Sequence, residues 1–141
     1  MSEAELSLSH HDYQLLQAAA ARADIHDLTI ANSDAFESGD LQAWLNTFTV
    51  EGTLALPGQD PIVGHKALSQ YFRSRPHGGL HVMVNAVVRV ERVTATQRCR
   101  VVSLVPGSPG GTVESVIDYD DHLVHERGRW FFLSRGARER L

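Results

Sequence analysis

Apolar residues recur at helical spacing in the first third of the chain. Between positions 10 and 38 they include Leu15, Leu16, Ile25, Leu28, Ala35 and Phe36. This spacing predicts a helix in two pieces that ends at Gly39. Asp40 fits an N-cap for a short helix over 41–48, and Pro76 terminates a further helical pattern over 65–75. The chain therefore opens with helices.

Strand-forming residues dominate the second half. Val, Ile and aromatic side chains are concentrated at 80–93, 98–105, 113–125 and 130–135, with turn residues at 106–111 and 127–128. Earlier, 52–56 and 61–63 are typical of a strand and a short partner. Helices followed by an antiparallel meander give an α+β order. We expect one domain over 1–141, with 1–9 as a flexible tail.

Composition and charge restrict the possible partners. The 141 residues are 43% hydrophobic, and 13 basic against 17 acidic side chains give a formal net charge of -4. This balance argues against nucleic acid and membrane partners. Cys99 is the only cysteine, so neither an internal disulfide nor a thiolate zinc site is expected. The N-terminal residues do not have the pattern of a secretory signal. Together with the single cysteine, this leads us to expect a cytoplasmic protein.

Four short motifs carry a resemblance to a known family. They are FESGDL at 36–41, GHKAL at 64–68, LHV at 80–82 and DYDDHLV at 118–124, followed by Gly128, Arg129, Trp130 and Arg135. In this order they resemble the SnoaL-like, or nuclear transport factor 2-like, superfamily over about residues 20 to 136. The resemblance implies a cone-shaped α+β barrel, with N-terminal helices packed on a strongly curved, mainly antiparallel sheet around an apolar pocket.

Within that superfamily the chain is most similar to the branch of scytalone dehydratase and hexachlorocyclohexane dehydrochlorinase. There, a histidine early in the meander works with an aspartate at the end of the early helix. The resemblance puts His81 on the histidine position and Glu37, longer by a methylene, on the aspartate position. The dehydratase's tyrosine before the acid is Phe36 here, its polar residue on the penultimate strand is Tyr119, and 100–106 hold no second histidine. The dehydratase's own activity is therefore not expected.

These positions suit proton abstraction. An imidazole titrates near neutral pH, so His81 is the candidate base and Glu37 the group that orients it. Tyr119 could donate a hydrogen bond to a substrate oxygen, or could simply pack. Further candidate substrate contacts are Phe36, Trp44, Tyr71, Asn85 and Asp121.

Two local arguments favour structural roles instead. Strand alternation puts His81 with Met83, opposite Val82 and Val84, and such an apolar face is typical of a core. His81 would then lie on the wetter face unless that face is the pocket or a bulge intervenes. On an ideal helix Glu37 lies away from the apolar stripe, which favours an exposed acid.

The main hypothesis is a cofactor-independent lyase or isomerase acting on a small, apolar, cyclic substrate. The alternative is a non-catalytic domain that binds a small molecule or associates with another subunit. No metal is expected, because the neighbouring Asp120, Asp121 and His122 point to opposite faces of a strand. We expect a homodimer through the sheet, with Val82, Val84, Val101 and Val116 as candidate contacts.

Overall fold

The computed structural model describes residues 8 to 107 and 109 to 141. In that part of the chain the helices are α1 (His10–Ser38), α2 (Leu41–Leu45) and α3 (Gly64–Ser74). The strands are β1 (Phe48–Ala55), β2 (Ile62–Val63), β3 (Leu80–Glu91), β4 (Thr94–Val105), β5 (Thr112–Glu126) and β6 (Arg129–Glu139). The predicted tail at 1–9 lies outside the described residues except for its last two positions.

The first helix is continuous, so the prediction of two pieces was wrong. Ser9 caps its start, accepting a hydrogen bond from the Asp12 N–H at 3.0 Å. The run of four alanines at 18–21 joins the two predicted pieces, because alanine is the strongest helix former. Gly39 ends the helix in the left-handed conformation, with a φ of 73°.

The sheet has the strand order β2-β1-β6-β5-β4-β3. Its pairs are antiparallel except for β1 with β6, which run parallel, so the sheet is mixed. It is curled but not closed, since β2 and β3 form its two edges. The helices pack on it around a core that includes Ile25, Trp44, Phe48, Leu68 and Phe132. The predicted α+β class and the meander over β3 to β6 are confirmed.

A β-bulge in β3 decides which way His81 faces. The pairing with β4 shifts register between Val84 and Val87, and Asn85 within the bulge has a φ of 53°. The extra residue reverses the alternation, so Val88 beyond the bulge packs against the core while Val84 before it is exposed. His81 lies before the bulge and faces inward.

The interpretation of the valines near the start of β3 as core was therefore wrong. Val82 and Val84 lie on the outer face and are 39% and 36% exposed. Val82 and Val84 were also candidate dimer contacts, together with Val101 and Val116. Val101 lies on the inner face, where it pairs with Met83. Val116 is buried, and its backbone is bonded to the C-terminal residues.

No helix in the described ranges, 8–107 and 109–141, has both the length and the apolar character needed to cross a bilayer.

Candidate active site

A cavity of about 420 Å³ lies between the helices and the inner face of the sheet. Phe36, Trp44 and Tyr71 form an aromatic wall on the helical side, with ring centroids 5.9 to 6.5 Å apart. Val101 and Ile117 supply apolar surface from the sheet. A space of this size and lining suits a small, largely apolar molecule.

His81 and Glu37 are in direct contact at the edge of this cavity. Nδ1 of His81 lies 3.1 Å from Oε1 of Glu37, and the same oxygen accepts a hydrogen bond from the backbone N–H of His81. The two side chains are 24% and 21% exposed. A neutral imidazole carries one N–H. If that proton is on Nδ1 and is donated to Glu37, Nε2 has the free lone pair and is the basic nitrogen.

The ends of two elements bring this pair together. Gly39 stops α1 two residues after Glu37, and the first residues of β3 pass beside that last turn. Glu37 is thereby half-buried, although its place off the apolar stripe favoured full exposure. Glu37 does lie off the apolar stripe of α1, as the periodicity indicated. It is covered by β3, a strand distant in sequence, which helix periodicity cannot report.

Two tyrosine phenols face the cavity, Tyr71 from α3 and Tyr119 from β5. Burial raises the pKa of Tyr119, although the nearby positive charge of Arg135 opposes the shift. Burial likewise raises the pKa of Tyr71, opposed by Arg75. Both phenols therefore stay protonated near neutral pH and can donate hydrogen bonds.

A buried ion pair lies beneath Tyr119. Arg135 donates from Nε to Oδ1 of Asp121 at 2.8 Å, and a second guanidinium nitrogen reaches Oδ2 at 3.2 Å. The guanidinium carbon is 4.2 Å from the ring centroid of Tyr119 and 4.5 Å from that of Phe132. Burial disfavours the cation, but Asp121 outweighs this, so the pKa of Arg135 lies above its usual value.

Polar side chains extend this pair on both sides. Arg135 donates to Oδ1 of Asn32 at 3.0 Å, and the amide of Asn32 donates to Thr47 at 2.9 Å. On the other side, Nε2 of Gln97 donates to Asp121 at 3.0 Å. The network fixes the floor of the cavity, where Asn32 and Arg135 both contribute to the lining.

The structure brings most of the predicted site residues together. His81, Tyr119, Phe36, Trp44 and Tyr71 line the cavity, and Glu37 touches it through His81. The other two candidate substrate contacts lie elsewhere. Asp121 is 2% exposed and bound to Arg135, and Asn85 is exposed at the bulge, outside the cavity lining.

The model of the SnoaL-like domain matches residues 17–136 of the chain. The chain is a SnoaL-like domain. Curated proteins gave no significant match.

Solved structures share the fold of this SnoaL-like domain. An NTF2-like protein with a cystatin-like fold from Novosphingobium aromaticivorans is 23% identical, with 89% and 85% of the two chains covered and a TM-score of 0.80. A Mycobacterium tuberculosis protein of unknown function is 24% identical, with 83% and 74% covered and a TM-score of 0.75. A type 2 hexachlorocyclohexane dehydrochlorinase (LinA) is 14% identical, with 89% of each chain covered and a TM-score of 0.76.

Some residues of this SnoaL-like domain's cavity were not among the predicted site residues. Asn32 and Arg135 belong to its floor, and His77 lies at its edge beside Gly78 and Gly79. A signal existed for Arg135, because an inward-facing acid such as Asp121 requires a buried partner on the adjoining strand. The place of His77 between two helices has no comparable signal.

Cys99 of this SnoaL-like domain should be inert in the folded state. It is buried, and burial raises the pKa of its thiol to about 11 although Arg135 opposes the shift. At pH 8 only about one thousandth of such a thiol is the reactive thiolate. We expect no reaction with a disulfide reagent such as dithionitrobenzoate until denaturant is added, when one thiol should react. Rapid labelling of the native protein would contradict this.

Proposed function

We propose that this SnoaL-like domain is a cofactor-independent lyase or isomerase that removes a proton from carbon in a small, largely apolar, cyclic substrate. The observation that carries the proposal is the contact between His81 and Glu37 at the edge of the cavity. A histidine oriented by a carboxylate is a general base suited to neutral pH.

In this reaction Nε2 of His81 accepts the proton from the substrate carbon. Glu37 keeps the Nδ1 proton in place and stabilises the imidazolium that forms. The electron pair of the broken C–H bond then expels a leaving group from the neighbouring carbon, or moves onto an adjacent carbonyl oxygen. In the first case the product is an alkene, and in the second the proton returns elsewhere to give an isomer.

Tyr119 is the group proposed to stabilise a developing negative oxygen. Its phenol lines the cavity and stays protonated, which is the state that donates a hydrogen bond. Asn85, the other residue considered for this role, lies outside the cavity lining. The aromatic wall formed by Phe36, Trp44 and Tyr71 favours a flat or cyclic apolar substrate.

The family is consistent with elimination chemistry. The type 2 hexachlorocyclohexane dehydrochlorinase has the same fold, and its name describes loss of hydrogen and chlorine from a cyclic substrate. At 14% sequence identity, the similarity between the two proteins supports the fold alone. The reaction is therefore proposed from the residues of this chain.

The test is a proton-exchange assay that needs no knowledge of the natural substrate. Cyclic ketones, cyclic enones and chlorinated cyclohexanes are incubated with the protein in D₂O, and NMR follows hydrogen exchange, isomerisation and alkene formation. We expect at least one class to react above the buffer rate. His81→Ala should remove that activity with an unchanged circular dichroism spectrum, while the matched control His122→Ala, an exposed histidine on β5, should retain it.

The alternative function is a non-catalytic domain that binds a small molecule. The specific observation in its favour is the aromatic wall, which would hold an apolar ligand without any chemistry. Saturable binding of the probes without exchange or elimination would favour this alternative. Full activity in His81→Ala would reject the proposed base.

A further inference from the structure

His77 has both ring nitrogens on backbone carbonyl oxygens. Nδ1 lies 2.8 Å from the carbonyl oxygen of Phe36, and Nε2 lies 2.9 Å from that of Phe72. A carbonyl oxygen only accepts hydrogen bonds, so each ring nitrogen must carry a proton to make its bond. A neutral imidazole has one N–H and the imidazolium has two. Only the imidazolium form of His77 can therefore make both hydrogen bonds at once.

Both carbonyls lie in the last turns of helices. Phe36 precedes the C-terminal residue of α1 by two positions, and Phe72 has the same place in α3. Each accepts only a long bond from the cap N–H, 3.4 Å from Gly39 to Phe36 and 3.3 Å from Arg75 to Phe72, which leaves room for a second donor. Carbonyls at a helix C-terminus also carry a partial negative charge, which attracts cations. His77 therefore lies between two helix C-termini, and the partial negative charge at each of them stabilises an imidazolium.

The ring is also held by aromatic packing. It stacks on Phe72 with centroids 4.2 Å apart and planes at 30°, and it meets Phe36 edge-on at 4.8 Å. These contacts involve the side chains of the same two residues whose carbonyls it binds. The orientation of the ring is thus fixed by packing and hydrogen bonds together.

We propose that His77 is a positioning residue of the candidate site, acting as an imidazolium clamp between the C-termini of α1 and α3. The clamp ties the end of α1, which carries Glu37, to the loop that leads into β3, which carries His81. It thereby sets the separation of these two side chains. The positioning role rests on the proposed function, whereas the clamp itself does not.

The elements next to His77 carry several charged and titratable groups. They are Glu37 on α1, Asp40 at the start of α2, Tyr71 on α3 with Arg75 after it, His81 on β3, and Glu114 on β5 across the cavity. Glu37 is already engaged by His81, so the two helix ends supply the direct contacts.

The clamp is tested by ¹⁵N NMR of the histidine rings in the whole protein at pH 7. We expect a ring with both nitrogens protonated whose signals vanish in His77→Phe. Phe preserves the stacking on Phe72 and removes both hydrogen bonds, so it separates the two contributions. If the signal lost in this variant belongs to a neutral ring, the clamp is refuted.

The positioning role has a second readout in the same spectra. In His77→Phe we expect the ring signals of His81 to shift or broaden, because its contact with Glu37 loosens. The control His122→Phe, on the outer face, should leave them unchanged. Unchanged His81 signals in His77→Phe would overturn the positioning role. Should that variant fail to fold, His77→Gln, which keeps a donor and similar size, gives the same comparison. No substrate enters either measurement, so failure of the proposed function is seen separately.

Discussion

Replacing Glu37 by Gln is expected to slow the proposed proton transfer by about 10²- to 10⁴-fold, the range typical of a positioned acid–base group. Gln keeps the size and one acceptor oxygen, so the backbone N–H of His81 retains a partner. What is lost is the negative charge that stabilises the imidazolium formed when His81 takes a proton. The loss should therefore appear in the rate constant, with little change in affinity for the probe.

The measurement is the exchange or elimination rate of the most reactive probe, with Glu91→Gln as control because that acid is exposed on the same strand as His81. Groups that act as a unit are not additive. The double variant with His81→Ala should thus be no slower than the slower single variant. Multiplied losses in the double variant would mean that the two residues act separately and would contradict the dyad.

The helices and the meander could be predicted because each has a local signal. Apolar periodicity marked the helices, and Val-rich stretches between turn residues marked the strands. The start of β1 had no such signal. Phe48 continues the apolar pattern of the short helix, but it pairs with Phe132 in the parallel β1–β6 contact. That contact joins residues distant in sequence, and local patterning does not report it.

The candidate base shows how one residue alters an inference. Alternation alone placed Val82 and Val84 toward the core, and this was wrong because the bulge at Asn85 reverses the two faces further along the strand. Asparagine tolerates a positive φ, but it does so in many turns, so its presence did not predict the bulge. The prediction of His81 as the base came from the resemblance to the family, because the residues alone left its direction open.

The inward direction of Asp121 could be predicted, but its partner could not be named from alternation alone. The turn at 127–128 folds β6 back on β5, so that Asp121 faces the region of Ser134 and Arg135. A register shift between His122 and Leu123 selects Arg135. Because of that shift, Asp121, which was predicted as a substrate contact, is instead the counter-charge of the buried Arg135.

Replacing Asp121 by Ala is accordingly expected to lower the free energy of unfolding by about 3 to 5 kcal/mol, the usual cost of removing one partner of a buried ion pair. Arg135 would be left as an uncompensated charge with 5% side-chain exposure. The amide of Gln97 would lose its bond to the same carboxylate. Chemical denaturation followed by circular dichroism measures the change.

The neighbouring Asp120 supplies the control, because it forms an ion pair of similar length on the opposite, solvated face. Its carboxylate lies 3.1 Å from Arg138, with side chains 48% and 69% exposed. Water already screens these charges, so Asp120→Ala should cost only about 0 to 1 kcal/mol. Since the two acids are adjacent in one strand, backbone effects are similar and the difference isolates burial. Equal losses in the two variants would show that the Asp121–Arg135 pair is not the desolvated anchor of the cavity floor.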